Sequence, residues 1–421
     1  MKKVFIIGLG IGSSGYMHKK AEKIIVNCDC LIGARRMLRD FMDLNKEVYE
    51  SSNAESICEY VGGSSFQSYG VLVSGDSGFY SLSKKVTGIL KENKDIQVEN
   101  IPAISSLQYF ASKLNLPWDN IKYVSAHGRI PNIVSNVIFN NKTFILTGGD
   151  FGPGHICEVL THKGLGHLKV SVGENLSYEN ERIVEDNASA IAKMKFENLS
   201  VMIVHNDDCI SPDEGLRSIR DEEFVTGNVP MTKSEVRTIC VGKLNLKSGY
   251  TVYDIGAGTG SVSIEAALKL YGGTLYAVEK NEEAVVLIEK NIEKFKTRNI
   301  EVVRGMAPQA IKSLPAPDAC FIGGSSGNME DIINGILRKN PTVTLVINTI
   351  TLQSLNEAMS CMEKYGFRDV EVVNISVAKS KKAGKYDMMI GQNPIYVISG
   401  KGEVCNEVKS AKTDDISLRQ Q

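Results

Sequence analysis

Residues 250–270 read YTVYDIGAGTGSVSIEAALKL. An apolar run closes at Asp254, three glycines follow at 256, 258 and 260, and a helix-forming stretch comes after them. Strand, glycine turn and helix form the opening unit of an α/β nucleotide-binding fold. Glycine permits positive φ and close approach of a ligand to the main chain, and the helix N-terminus offers unpaired N–H groups. The spacing GxGxG alone also opens dinucleotide folds, so a second element must discriminate. Glu279 ends the next apolar run, TLYAVEKN, where a carboxylate accepts hydrogen bonds from both ribose hydroxyls in NAD and S-adenosylmethionine sites alike. Asp254 separates the two: a carboxylate in the loop repels a pyrophosphate, whereas the cationic methionine end of S-adenosylmethionine tolerates it. The expected site comprises Asp254, Gly256, Ala257, Gly258, Thr259, Gly260 and Glu279, with a ligand-free structural turn as the alternative.

Beyond this turn, apolar runs recur with spacers between them: NIEVVRGMA, APDACFIGG, TVTLVINTI, RDVEVVNISVAKS and NPIYVISG. With the first two runs they predict a doubly wound sheet of seven strands whose final pair is an antiparallel hairpin joined by a loop. This domain is expected over 224–402. Upstream, DDCISPDEGLRSIRDEEFVTGNVP is polar and lacks strand periodicity, so 207–223 read as a linker, and the polar tail 403–421 as disordered at its end.

The first half, 1–206, shows the same alternation. VFIIGLG, DCLIGA, YGVLVSGD, IQVENIP, IKYVSAHG, KTFILTGGD, HLKVSVGEN and LSVMIVHN predict βα units around a mostly parallel sheet, with a subdomain junction near residue 118 giving parts 1–118 and 119–206. The opening MKKVFIIGLGIG is short, glycine-interrupted and without a cleavage site, so it reads as a buried strand rather than a signal peptide.

Composition narrows the function classes. Lys plus Arg (48) nearly balance Asp plus Glu (49), which leaves no global field for a nucleic acid partner. No stretch reaches the roughly 18 apolar residues of a membrane span, and a cytoplasmic protein is expected. Nine cysteines without a CxxC pair argue against a disulfide framework or zinc ribbon, and no metal site is expected. Cys28 and Cys30 alternate as strand residues on one face would.

From GNVPMTKSEVR through DIGAGTGSVSIEAA, YAVEKN, RGMAP, FIGGSSG and INTITLQSL to NPIYVISG, the second half resembles the decarboxylating C15-methyltransferases of corrin biosynthesis. PMTKSEVR and FIGGSSG are the specific parts, since class I Rossmann-like methyltransferases in general share only the glycine turn and the acid. The resemblance implies that Thr232, Gly256 to Gly260, Glu279 and Ala307 surround S-adenosylmethionine, with Ala307 beside the adenine. Met306 stands where many class I enzymes carry an Asp that contacts the adenine amino group. Thr232 also fits the cap of the helix TKSEVRTIC, with Glu235 completing a capping box, and both roles stay open.

In the first half, SGDSGFYS (74–81), PAISS (102–106), SAHGR (125–129), LTGGD (146–150) and VGEN (172–175) follow successive strands, as a cleft at the carboxyl edge of an open sheet requires. Their order is similar to the two-subdomain tetrapyrrole methylases, and SGDSGFYS, IPAISSLQYFASKLNLPWDN, SAHGR and VGENLSYENERI match the C5-methyltransferases among them. That likeness implies a cofactor pocket lined by Ser74, Gly75, Asp76, Phe79, Ser105 and Ser106, closed by Gly148 and Gly173, with the GLGIG turn at the substrate cleft. Ile11 replaces the Pro that related enzymes often carry there. His127 reads as a general base or as a structural histidine, and Asp76 as orienting substrate or bonding its own turn.

Together the two resemblances imply an enzyme that methylates one macrocycle at C5 and C15 and removes the C12 acetate carboxyl. Its substrate would be precorrin-6B/7 or the cobalt-containing equivalent, its by-product S-adenosylhomocysteine, and its assembly a homo-oligomer. One active domain, or a non-catalytic binder of cofactor and tetrapyrrole, is the alternative. Methylation of RNA is opposed by the neutral charge.

Overall fold

The computed structural model describes residues 1–12, 14–126 and 132–403 and separates into two compact units, Met1–Pro131 with Lys142–Asn206, and Asn132–Asn141 with Asp207–Gln421. The first unit opens with strands β1 (Lys2–Gly8), β2 (Cys30–Gly33), β3 (Glu47–Glu50), β4 (Ser68–Val73) and β5 (Ile96–Ile101). They form an all-parallel sheet in the order β3-β2-β4-β1-β5. Strands buried on both faces need apolar residues throughout, and VFIIG and VLV supply them. One face packs Ile7, Leu31 and Leu72 against Ala21 and Ile25 of the helix Lys19–Asn27. The other packs Ile6, Ile32 and Val71 against the helices Ala54–Gly63 and Ser83–Leu90. Chain leaving β1 and chain leaving β4 thus cross opposite faces, which places a switch point at the β1/β4 carboxyl ends.

Strands β6 (Lys122–Ser125), β7 (Lys142–Leu146), β8 (Lys169–Glu174), β9 (Arg182–Asn187) and β10 (Ser200–His205) form the second sheet, in the order β6-β7-β10-β8-β9. Only β6 and β7 run parallel, so the expectation of mostly parallel pairing fails for this sheet. β8 and β9 are joined by the short turn that follows Glu174, and a turn of that length can only reverse the chain. β3 and β9, absent from the sequence reading, are edge strands with largely exposed, polar faces and no apolar run to betray them. Residues 132–141, between β6 and β7, count with the second unit, where Asn132 Nδ2 donates to the Gly273 carbonyl at 2.7 Å.

The second unit contains β11 (Thr251–Ile255), β12 (Thr274–Glu279), β13 (Ile300–Arg304), β14 (Ala319–Ile322), β15 (Thr344–Thr349), β16 (Arg368–Ile375), β17 (Ala378–Ala383), β18 (Tyr386–Gly391) and β19 (Ile395–Lys401). Seven of them form one sheet in the order β13-β12-β11-β14-β15-β19-β16, parallel except for β19, which is antiparallel to both neighbours. The loop expected before the last strand is instead the hairpin β17–β18. Between β13 and β14 the expected helix is a single 3-10 turn, Gln309–Ile311, because Pro308, Pro315 and Pro317 leave too little uninterrupted chain.

Cys28 and Cys30 do not share a face: Cys28 ends the first helix and packs with Ile25, while Cys30 enters β2 on the opposite side with Ile57. Among the described residues no cluster of His, Cys, Asp or Glu is arranged to hold a metal ion, and no helix is long and apolar enough to cross a membrane.

Candidate active site: a cofactor cavity and a second cluster of turns

The glycine turn leaves β11 between two other loops. Gly256 N–H donates to the Val278 carbonyl, while the amides of Gly323 and Gly324, after β14, donate to the Ile255 carbonyl. Gly256 has φ +72°, and a Cβ there would lie 2.7 Å from the Gly324 oxygen; one on Gly258, at φ +57°, would lie 2.8 Å from the Pro230 oxygen. Neither position can carry a side chain without moving backbone.

These loops, with β12, β15 and β19, enclose a cavity of about 580 Å³, within the range of small-molecule sites. Thr232, Gly256, Ala257, Gly258, Glu279 and Ala307 line it, as do residues the sequence reading did not single out: Lys233, Lys280, Asn348 and Asn393 among the polar ones. Asn348 and Asn393 stand at the ends of strands far along the sequence from the glycine turn, so only the strand order β11-β14-β15-β19 brings them to it. Met306 also lines the cavity, and its sulfur receives the Asn328 side-chain amide at 3.7 Å.

Glu279 is nearly buried and held by backbone. Its Oε1 accepts from the amides of Lys280 and Asn281 at 2.8 and 2.9 Å, and its Oε2 from Gly258 at 2.9 Å. Of about four acceptor positions on a carboxylate, roughly one is left, on Oε2. A ribose therefore has room for one direct hydrogen bond to this group, rather than the two expected from sequence.

Asp254, Thr259 and Gly260 lie outside the cavity lining. The pleat explains Asp254: Tyr253 and Ile255 face the core that holds Ile322 and Ile347, so Asp254 points to the opposite face, under the helix Ser261–Lys269. It is 1% exposed; Oδ2 accepts from Ser263 Oγ at 2.5 Å and Oδ1 has no partner. Burial pushes its carboxyl up to about 7, against the lowering effect of Ser263. The sequence argument placed this charge in the loop; the structure places the carboxyl beneath it. Thr259 is buried, and Gly260 is the left-handed N-cap of the helix. Thr232 makes no side-chain cap: the N-cap position is Lys233, without a side-chain hydrogen bond.

In the first unit the turns after β1, β4 and β5 meet. Gly10 and Gly75 exchange backbone hydrogen bonds at 3.1 and 2.9 Å. Asp76 accepts from Gly78 N–H through Oδ1 at 2.8 Å and from Ala103 N–H through Oδ2 at 2.9 Å, tying the β4 turn to the β5 turn. Ser74 beside it is exposed. Ser105 forms a capping box with Gln108 at the start of the helix Ser106–Lys113. The loop after β8 reaches the same turns: Ser177 Oγ donates to the Ile11 carbonyl at 2.7 Å, and Glu181 accepts from Tyr109 at 2.6 Å and pairs with Lys113 at 2.8 Å.

The remaining residues named for this pocket are spread more widely. Phe79 packs against Tyr123 and Phe144, and Gly148 bridges to Phe151 in its own turn. Gly173 is a packing glycine inside β8, where a Cβ would lie 2.7 Å from the Phe110 ring. His127 lies outside the described residues.

Comparison with known proteins finds a match in each half of the chain. Residues 3–192 match the tetrapyrrole (corrin/porphyrin) methylases and residues 223–400 the precorrin methyltransferase domain. A probable cobalt-precorrin-6B C(15)-methyltransferase (decarboxylating) of Pyrobaculum calidifontis is 40% identical over 184 residues, 43% of this chain and 94% of that protein. A precorrin-6Y C(5,15)-methyltransferase [decarboxylating] of a Sinorhizobium species is 28% identical over 408 residues, 94% of each chain. A solved structure of a precorrin-6Y C5,15-methyltransferase from Geobacter metallireducens is 39% identical, covering 44% of this chain and 96% of that one with a TM-score of 0.42. The chain belongs to the precorrin methyltransferases, with a tetrapyrrole methylase domain in its first half and a precorrin methyltransferase domain in its second.

Proposed function

We propose that this chain methylates a corrin precursor at C5 and C15, using S-adenosylmethionine, and releases the C12 acetate carboxyl as carbon dioxide. The first half is assigned C5 and the second C15 with the decarboxylation. The observation that carries the reading is the cavity itself, lined by a glycine turn and a backbone-pinned Glu279 together with a set of aliphatic side chains.

S-adenosylmethionine fits the groups present. Glu279 Oε2 keeps acceptor capacity for a ribose hydroxyl, and Gly324 faces open space where a Cβ would meet nothing within 4 Å. Asn348 Oδ1 is a buried acceptor without a partner on the cavity wall, as a donor-bearing ligand requires. When bound, the cofactor supplies an electrophilic methyl group. The chain's part is orientation: Gly256 to Gly258 and Glu279 fix one end, and Val229 to Lys233 stand against the glycine turn. Ile350, Ile375, Val377 and Ile395 add aliphatic side chains to the lining. A carboxylate held against these side chains loses hydration, a condition that favours loss of carbon dioxide.

In the first half the reading is supported by the convergence of the GLGIG, SGDSG and PAISS turns at the switch point, with Asp76 holding two of them in register. Seven of eight described cysteines are buried and all eight are free, which supports action in the cytoplasm. Separate variants test the division of labour. At limiting S-adenosylmethionine, Glu279→Gln in the full chain should lower C15 methylation and spare C5, and Asp76→Ala the reverse, as read by product mass. Loss of both methylations from either change contradicts two independent sites.

A further inference from the structure

The motif PMTKSEVR ends in Arg237, which lies on the helix Ser234–Lys243 and is fully buried. Four of its five N–H groups are held by three segments of chain. Nε donates to Glu265 at 2.6 Å, on the helix that follows the glycine turn; Nη1 donates to Asp221 at 3.1 Å and to the Thr232 carbonyl at 2.7 Å; Nη2 donates to the Ile219 carbonyl. The Phe224 ring stacks 4.7 Å away. Asp221 also faces Lys379 at 3.8 Å, and Lys379 pairs with Glu235 at 3.0 Å.

The network reaches the cavity at two places: Thr232 is a lining residue, and Lys379 on β17 stands two residues after the lining residue Val377. Glu265 sits on the helix that Gly260 caps. The stretch 219–221, polar in sequence and read there as linker, is fastened from within: Ile219 is fully buried. A second fastening runs parallel to the first. Asn291 accepts from Val225 N–H at 2.8 Å and donates to the Thr259 carbonyl in the glycine turn at 2.9 Å.

We propose that Arg237 and Asp221 are positioning residues of the second cofactor site, holding the strap Val229–Lys233 against the glycine turn through the Thr232 carbonyl. On this account the segment 219–228 is part of that site rather than a passive connection. A guanidinium with a rigid fork of donors is what such a role requires, because one side chain must fix two carbonyls and two carboxylates at set angles. The proposal rests on the reading of the cavity as the S-adenosylmethionine site only for its binding arm.

The test uses the full chain carrying Asp221→Asn, with Arg237→Lys as the companion variant. In the absence of cofactor, amide hydrogen exchange of Val225, Asn228 and Arg237, whose N–H groups donate to Asn291, Glu283 and the Lys233 carbonyl, should rise about tenfold in Asp221→Asn, the equivalent of one hydrogen bond to a charged group, while β11, β12 and β14 stay protected. For C15 methylation the KM for S-adenosylmethionine should rise about tenfold with kcat within about twofold, and C5 methylation should not change. Unchanged exchange at Val225, Asn228 and Arg237 overturns the proposal, and so does a parallel fall of both methylations with general loss of protection. If Arg237→Lys does not fold, Asp221→Asn decides alone. Wild-type chain that binds no S-adenosylhomocysteine would instead refute the function, leaving the exchange result to judge the strap.

Discussion

Asp254→Asn isolates the most unusual charge in the second unit. The carboxyl is sealed under the glycine turn with one hydrogen bond, from Ser263, and burial raises it from its ordinary 3.8 to about 7. A raised folded-state value means that the folded protein keeps a proton which the unfolded chain has lost. Stability is therefore full below about pH 4, declines as pH rises toward 7 and is flat beyond. Over that range the shift corresponds to about 4 kcal/mol. The amide keeps the shape and cannot ionise, so it escapes the decline. It also weakens the bond from Ser263, which loses a charged acceptor, at a cost of about 1 kcal/mol. The net expectation is a gain of about 2–3 kcal/mol at pH 8 and about no change at pH 4.5, where the two effects offset. For a unit of this size the gain moves its melting temperature up by roughly 5–10 °C. Calorimetry of the full chain at both pH values, following the transition of the second unit, reads the difference. An equal destabilisation at both pH values would refute the reasoning, since it would mean that the carboxylate is well solvated or paired where the structure shows neither.

Three further substitutions follow from geometry. Glu279→Gln keeps one acceptor oxygen and turns an amide NH2 against either the Gly258 N–H or those of Lys280 and Asn281, and should weaken S-adenosylhomocysteine binding at the second site by about 10- to 100-fold in titration calorimetry. Gly256→Ala combines positive φ with a contact 2.7 Å from the Gly324 oxygen; C15 methylation should be lost while C5 methylation persists, and retention of normal C15 activity would contradict the backbone cradle. Gly173→Ala drives a methyl into Phe110 and should destabilise the first unit by about 1–3 kcal/mol in denaturant unfolding, with little change in the second transition.

The strongly patterned parts of the fold were legible in the sequence. Runs such as VFIIG, YTVYDI and TLYAVE are apolar because both sheet faces are covered, and each appears as a central strand. The edge strands β3 and β9 were not legible, because EVYE and RIVEDN bury little and carry no comparable run. The hairpin β17–β18 hid for the same reason: its residues are almost all exposed. At the site, the glycine turn and Glu279 announced themselves through spacing. The direction of Asp254 did not, since the same residue at a strand tip can face cavity or core, and only the parity of Tyr253 and Ile255 decides it. Asn348 and Arg237 were beyond reach for a different reason. Their significance lies in partners brought together by the sheet order and by the buried segment 219–221.

The central claim is that one chain performs two methyl transfers and one decarboxylation on the same macrocycle. Full-length protein incubated anaerobically with the corrin precursor, metal-free or cobalt-loaded, and with S-adenosylmethionine labelled in its methyl carbon tests it directly by NMR and mass analysis of the product. The account predicts two labelled methyl groups, at C5 and C15, and loss of one carbon dioxide per macrocycle with at least one form of the substrate. A product carrying a single label, or both labels with the C12 acetate intact, would contradict it.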